Sequence, residues 1–131
     1  MTAAAITSMM AFNLVCSGTT TTEYVARSSS EPYSAIYRVD LDRSEFCEGV
    51  CEAPRKIYRV EPTELLLELS DNPDGMVRSS FLNQVDRRTG EQRIDQTNQE
   101  SDDHDVMWIV RSRGHCEKAP FTGFPKFDTK F

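Results

Sequence analysis

Much of what a small functional protein usually carries is missing from this sequence. No apolar run approaches the roughly 20 residues a spanning helix requires, so no transmembrane segment is expected. None of G-x-S-x-G, a P-loop, G-x-G-x-x-G or H-E-x-x-H occurs, so no catalytic residue is nominated and no cofactor is expected. Only two histidines are available for acid–base work or metal ligation. Positive charge is also short: 15 basic against 21 acidic side chains leave a net charge of −6. That field repels a phosphate backbone. The small basic clusters (Arg55, Lys56, Arg59; Arg87, Arg88, Arg93; Arg111, Arg113) are interleaved with acids, so nucleic acid is not an expected partner.

The first eleven residues contain no lysine or arginine and no convincing small-x-small cleavage site. Residues 1–11 read as an N-terminal arm or signal remnant, and residues 12–131 as a single β domain. Leu14-Val15-Cys16 resembles a lipoprotein box, but Val15 is bulky for the position before a lipidated cysteine. At 131 residues, with 38% hydrophobic and 27% charged side chains, the chain holds one core.

Alternation is the dominant pattern of what is present. Tyr33, Ala35, Tyr37, Val39 and Leu41 fall on one strand face, and Ser34, Ile36, Arg38, Asp40 and Asp42 on the other. Phe12, Leu14, Cys16 and Gly18 likewise share a face, and the threonine run 19–22 favours extended structure. A short strand is expected at 57–60. Residues 63–70 read as another, with Leu65, Leu67 and Leu69 pointing one way; a short amphipathic helix is its rival. Segments 79–86 and 91–96 flank Arg87-Arg88-Thr89-Gly90, a hairpin signal with glycine at the left-handed position. Residues 96–105 read as a polar surface loop. The last strand, 106–117, places Val106, Trp108, Val110, Ser112, Gly114 and Cys116 together. Roughly seven strands with few helices predict an all-β fold. It is a small antiparallel β-barrel or sandwich, lipocalin-like at most, with first and last strands adjacent.

Four cysteines are the covalent resource. Strand parity turns Cys16 and Cys116 toward the core, and barrel closure brings them together as one candidate disulfide. Cys47 and Cys51 form the other, closing a local loop. Glu45, Glu48 and Glu52 raise a thiol pKa nearby, which disfavours redox chemistry. Zinc on these cysteines with His115 is a rival, but the spacing lacks paired knuckles. Cysteine usage leans toward a periplasmic or exported protein, with a cytoplasmic address still open. His104, within Asp102-Asp103-His104-Asp105, reads as part of a solvated loop. His115 and Cys116 point to opposite strand faces and make no nucleophilic pair. Asp40 and Asp42 share a face but stand among arginines.

The segments Phe12-Asn13-Leu14-Val15-Cys16-Ser17-Gly18, Cys47-Glu48-Gly49-Val50-Cys51, Val85-Asp86-Arg87-Arg88-Thr89-Gly90, and Cys116 with Phe121-Thr122-Gly123-Phe124-Pro125 belong together. They resemble a group of small bacterial proteins of this length whose function is uncharacterised. The resemblance implies a bacterial origin and assigns no site residue.

The expected function is that of a non-enzymatic binding or accessory module. Its partner is either a small apolar ligand, held in an interior lined by Tyr33, Tyr37, Leu65, Leu67 and Trp108, or another protein. A protein partner is expected at the aromatic C-terminal segment, Phe121, Phe124 and Phe127. Filling of the barrel by those interior residues is the competing reading. An enzyme with an unrecognised site is the least supported alternative.

Overall fold

Threonine-rich and alternating segments pair with their neighbours almost without interruption. The computed structural model describes residues 10–73, 77–100 and 107–125. Within them lie β1 (Ala11–Tyr24), β2 (Arg27–Asp40), β3 (Glu45–Glu48), β4 (Arg55–Lys56), β5 (Arg59–Val60), β6 (Glu64–Asn72), β7 (Val77–Asp86), β8 (Glu91–Glu100) and β9 (Met107–Ala119). All pairings are antiparallel, in one sheet of order β4-β3-β2-β1-β9-β8-β7-β6-β5. First and last long strands are therefore neighbours.

The sheet curls because its two edge strands are consecutive in sequence. Only Ile57 and Tyr58 separate β4 from β5. The Ile57 N–H donates to Ser44 O on one side (2.8 Å), and the Tyr58 N–H to Leu67 O on the other (3.2 Å). An Arg55–Glu68 ion pair at 2.6 Å spans the same seam. This link draws the base of the half-barrel together. Further up, residues 27–35 of β2 pair only with β1, and residues 68–72 of β6 only with β7. The upper half is thus a trough with two free rims. The Ile36 carbonyl points outward to Gly49 N–H, so by alternation Pro32 sits with its N on the open rim of β2. There it costs no ladder bond and blunts the edge.

The core occupies the lower half. Phe12, Leu14, Cys16, Tyr37, Val39, Phe46, Ile57, Leu65, Leu67, Val85 and Cys116 form one buried cluster. Cys16 lies directly opposite Cys116, and the two are disulfide-bonded across a sequence separation of 100. Cys47 and Cys51 form the second disulfide. Closing the long loop is worth about 4.7 kcal/mol on chain-entropy grounds, the short one about 2 kcal/mol. With Cys16 bonded inside the sheet, the lipoprotein-box reading is overturned. Zinc ligation likewise has no thiolate to use, since all four sulfurs are paired.

Other expectations are corrected in detail. Strands number nine among the described residues, and the long ones run further than alternation indicated, with β2 starting at Arg27. Of the strand expected at 57–60 only Arg59–Val60 forms, as β5; Ile57 and Tyr58 are the linking pair, and β4 precedes the expected range. The loop expected at 96–105 begins too early: β8 extends to Glu100, its polar residues held by ladders on both sides. Segment 63–70 is a strand, not a helix, but a bulge at Leu67 shifts its register. Leu65 and Leu67 are buried while Leu69, after the bulge, is 40% exposed. The hairpin turn at 87–90 is as expected, with Gly90 at φ 81°. The arm 1–9 and the Asp102 to Asp105 cluster with His104 lie outside the described residues.

Candidate functional site

Cross-strand partners share a face, so the register sorts the inner surface into rows. Leu65, Val85, Gln92, Gly114, Gly18 and Tyr33 make the row where core meets trough. The next row up is Asn83, Ile94, Ser112, Thr20 and Glu31. Above it come Phe81, Gln96, Val110, Thr22 and Ser29, then Ser79, Asn98, Trp108, Tyr24 and Arg27.

A hydrogen-bonded partition seals the core from the trough. The Tyr33 hydroxyl donates to Gln92 Oε1 (2.8 Å), and Gln92 Nε2 donates to Tyr37 Oη (3.0 Å) and Asn83 Oδ1 (3.1 Å). Asn83 Nδ2 also donates to Tyr37 Oη, at 3.1 Å. Asn83 and Gln92 are almost wholly buried, so this mutual satisfaction is what makes their burial tolerable. Two glycines permit it. A Cβ on Gly114 would collide with the Tyr33 hydroxyl and the Ser17 carbonyl, and one on Gly18 with the Arg113 carbonyl. Burial raises both phenol pKa values; for Tyr33 the charge of Arg113 works against it, for Tyr37 the amide bonds from Asn83 and Gln92 do.

Above the partition the inner face mixes hydroxyl and amide side chains with Ile94, Phe81 and Val110, and its charged residues, Arg27, Glu31, Glu68 and Glu100, stand at its rims and open end. Thr20 Oγ1 and Ser112 Oγ lie 2.7 Å apart. Trp108 and Tyr24 meet edge-to-face at the open end, ring centres 6.1 Å apart. Asn98, directly opposite Trp108 in the register, is 8% exposed. Its buried Nδ2 has no hydrogen-bond partner among the described residues.

Charge lies on the outer face instead. Asp95 bridges Arg93 (2.6 Å) and Arg113 (2.8 Å), and Glu23 meets Arg111 at 3.4 Å. Partial burial works to raise the Asp95 carboxyl, and the two arginines outweigh it, holding the group below its ordinary value. Asp86 is lowered too, chiefly by the Arg88 backbone N–H and side chain in the turn.

The expected ligand-lining residues are not brought together around a lumen. Tyr37, Leu65 and Leu67 have at most 2% exposure and fill the core. Tyr33 stands in the partition, and Trp108 is three rows above it. The five side chains thus do not share one cavity: three pack in the core, one stands in the partition and one lies in the trough. The C-terminal segment is a strap on the outer face. Asn13 Nδ2 donates to Thr122 Oγ1 (3.0 Å), Arg38 donates to Gly123 O (3.1 Å), and Phe121 packs edge-to-face on Phe124 (5.4 Å). Both rings are half-buried; Phe127 lies outside the described residues. Nor do the candidate acids and bases among the described residues converge, since Asp40 meets Arg43 in its own turn and His115 pairs with exposed Glu117.

Sequence reasoning missed Gln92, Asn83, Ser112 and Asn98. Their signal was an alternation of charge rather than hydrophobicity. In β8, Arg93 and Asp95 face out, while Gln92, Ile94, Gln96 and Asn98, all uncharged, face in. No protein-family model, curated protein or solved structure matches the chain.

Proposed function

We propose that the protein is a non-enzymatic binding module whose trough takes a neutral, hydroxyl-rich ligand, by its chemistry a saccharide. The observation that carries this reading is Asn98: a buried amide donor without a partner, set beside an aromatic pair. Leaving such a donor unsatisfied costs about 1–3 kcal/mol, a cost that a ligand oxygen removes. Trp108 and Tyr24 supply flat faces for the C–H surface of a sugar ring. Thr20, Thr22, Ser112 and Gln96 supply hydroxyl and amide partners for its oxygens. An array of this kind suits an uncharged polar ligand, because apolar ligands leave its donors bare and ionic ones find no counter-charge on the trough floor. The two disulfides support residence in an oxidising compartment, where extracellular or envelope glycans are met.

A glycan array probed with the disulfide-intact protein tests the reading. Binding is expected to neutral glycans, and an Asn98→Ala variant of unchanged fold is expected to lose it by roughly tenfold, about 1.4 kcal/mol. A preference for sulfated or sialylated glycans, or equal binding by the variant, overturns it.

A further inference from the structure

We infer that a second cavity, at the closed end of the half-barrel, binds a small amphiphilic carboxylate. Its volume is about 360 Å³, within the usual range for small-ligand sites. Part of the wall comes from the core, where Phe12, Leu14, Leu65 and Val85 line it, and the rest from the polar residues of the β7–β8 turn and the end of β9. The apolar part shelters an alkyl or aryl tail but offers nothing to a strongly hydrated free ion.

Its rim carries two cations, Lys118 and Arg87, that are paired with neither of the carboxylates there, Asp86 and Glu117. Lys118 lies opposite Leu14 in the register and so turns inward, its Nζ 5.1 Å from the centre of the Phe12 ring. Arg87 opens the β7–β8 turn; its backbone N–H donates to Thr63 O and its guanidinium to Glu61 O, both neutral carbonyls. Neither side chain is in an ion pair among the described residues. Of the other groups at this rim, Arg88 is paired with Asp86 at 3.3 Å, and Glu117 is hydrogen-bonded to His115 at 2.9 Å. In a chain of net charge −6, two unmatched cations over an apolar wall are a specific provision for one anionic head joined to an apolar tail. This inference is independent of the trough reading, which concerns the opposite end of the same inner face.

Octanoate, octanol and octyltrimethylammonium, titrated into the disulfide-intact protein and followed by calorimetry and amide NMR, test it. Octanoate is expected to bind at least about tenfold tighter than octanol, and the cation not to bind. The octanoate shifts are expected at Gly90, His115 and Lys118, with the amides of Thr22 and Trp108 unmoved. Lys118→Met, which keeps an apolar stem over Phe12, and Arg87→Gln are each expected to weaken octanoate several-fold and leave octanol unchanged. Equal affinity for octanoate and octanol, shifts confined to other regions, or no octanoate binding at millimolar concentration overturns the inference. Shift mapping on the native protein decides the matter even if a variant fails to fold.

Discussion

Gly18 and Gly114 face each other across β1 and β9 because neither strand has room for a side chain there. A methyl at Gly18 meets backbone, which cannot swing aside; at Gly114 it meets backbone and the Tyr33 hydroxyl. Each Gly→Ala change is expected to destabilise by about 1–3 kcal/mol in urea unfolding. Only Gly114→Ala should also free the Tyr33 phenol from Gln92, lowering the midpoint of its alkaline ultraviolet titration. Asp95 has a pH signature. Its folded pKa is depressed, so it adds stability above its unfolded value of about 4, and that contribution is lost as pH falls through the lower folded value. Asp95→Asn is expected to flatten the acid limb of the stability profile. At neutral pH it should cost about 1 kcal/mol or less, because both arginines are half-exposed. At this scale the sequence was legible where hydrophobic alternation is strict. Cys16, Tyr37 and Val39 were assigned inward from parity alone. Gln92 and Asn83 were not, since a polar residue looks the same in sequence whether it faces water or a buried partner.

The bulge in β6 shows what alternation cannot foresee at the scale of an element. Leu65, Leu67 and Leu69 form an unbroken odd-numbered series, but two residues of β6 are used where β7 supplies one, and the series ends at Leu67. The same bulge presents the Leu67 carbonyl to Tyr58 N–H, fastening the seam. Leu67→Ala is expected to cost about 2–5 kcal/mol, and Leu69→Lys to lie within about 0.5 kcal/mol of the parent. Chemical denaturation of the two variants measures this; comparable losses would restore strict alternation and contradict the bulge. In β8 the error ran the other way. Its glutamines and asparagine have poor strand propensity and read as loop, yet ladders to β7 and β9 hold them extended, tertiary pairing overriding local preference.

For the whole molecule, the adjacency of β1 and β9 and the pairing of Cys16 with Cys116 followed from parity plus the closure of a barrel, both readable in sequence. The seam was not readable, because it depends on Ile57 and Tyr58 joining opposite edges of one sheet. Reduction of the Cys16–Cys116 bond, or its replacement in a Cys16→Ala/Cys116→Ala variant, is expected to lower stability by about 2–5 kcal/mol in thermal or urea unfolding. The candidate site was the least legible part. Of the cavity-lining set chosen for size and aromaticity, Tyr37, Leu65 and Leu67 lie in the core, while the trough's threonines, serines and amides are grouped only once the strands are in register.

Trp108 is the chain's single tryptophan, and its place at the open end of the trough makes its emission a direct report on occupancy. Titrating the protein with a neutral oligosaccharide and with a sulfated analogue of the same length tests the central claim. A saturable change in Trp108 emission with the neutral ligand alone, its midpoint moved to roughly tenfold higher concentration in Asn98→Ala, is the predicted result. No change with any neutral saccharide, or an equal response to the sulfated one, would contradict it.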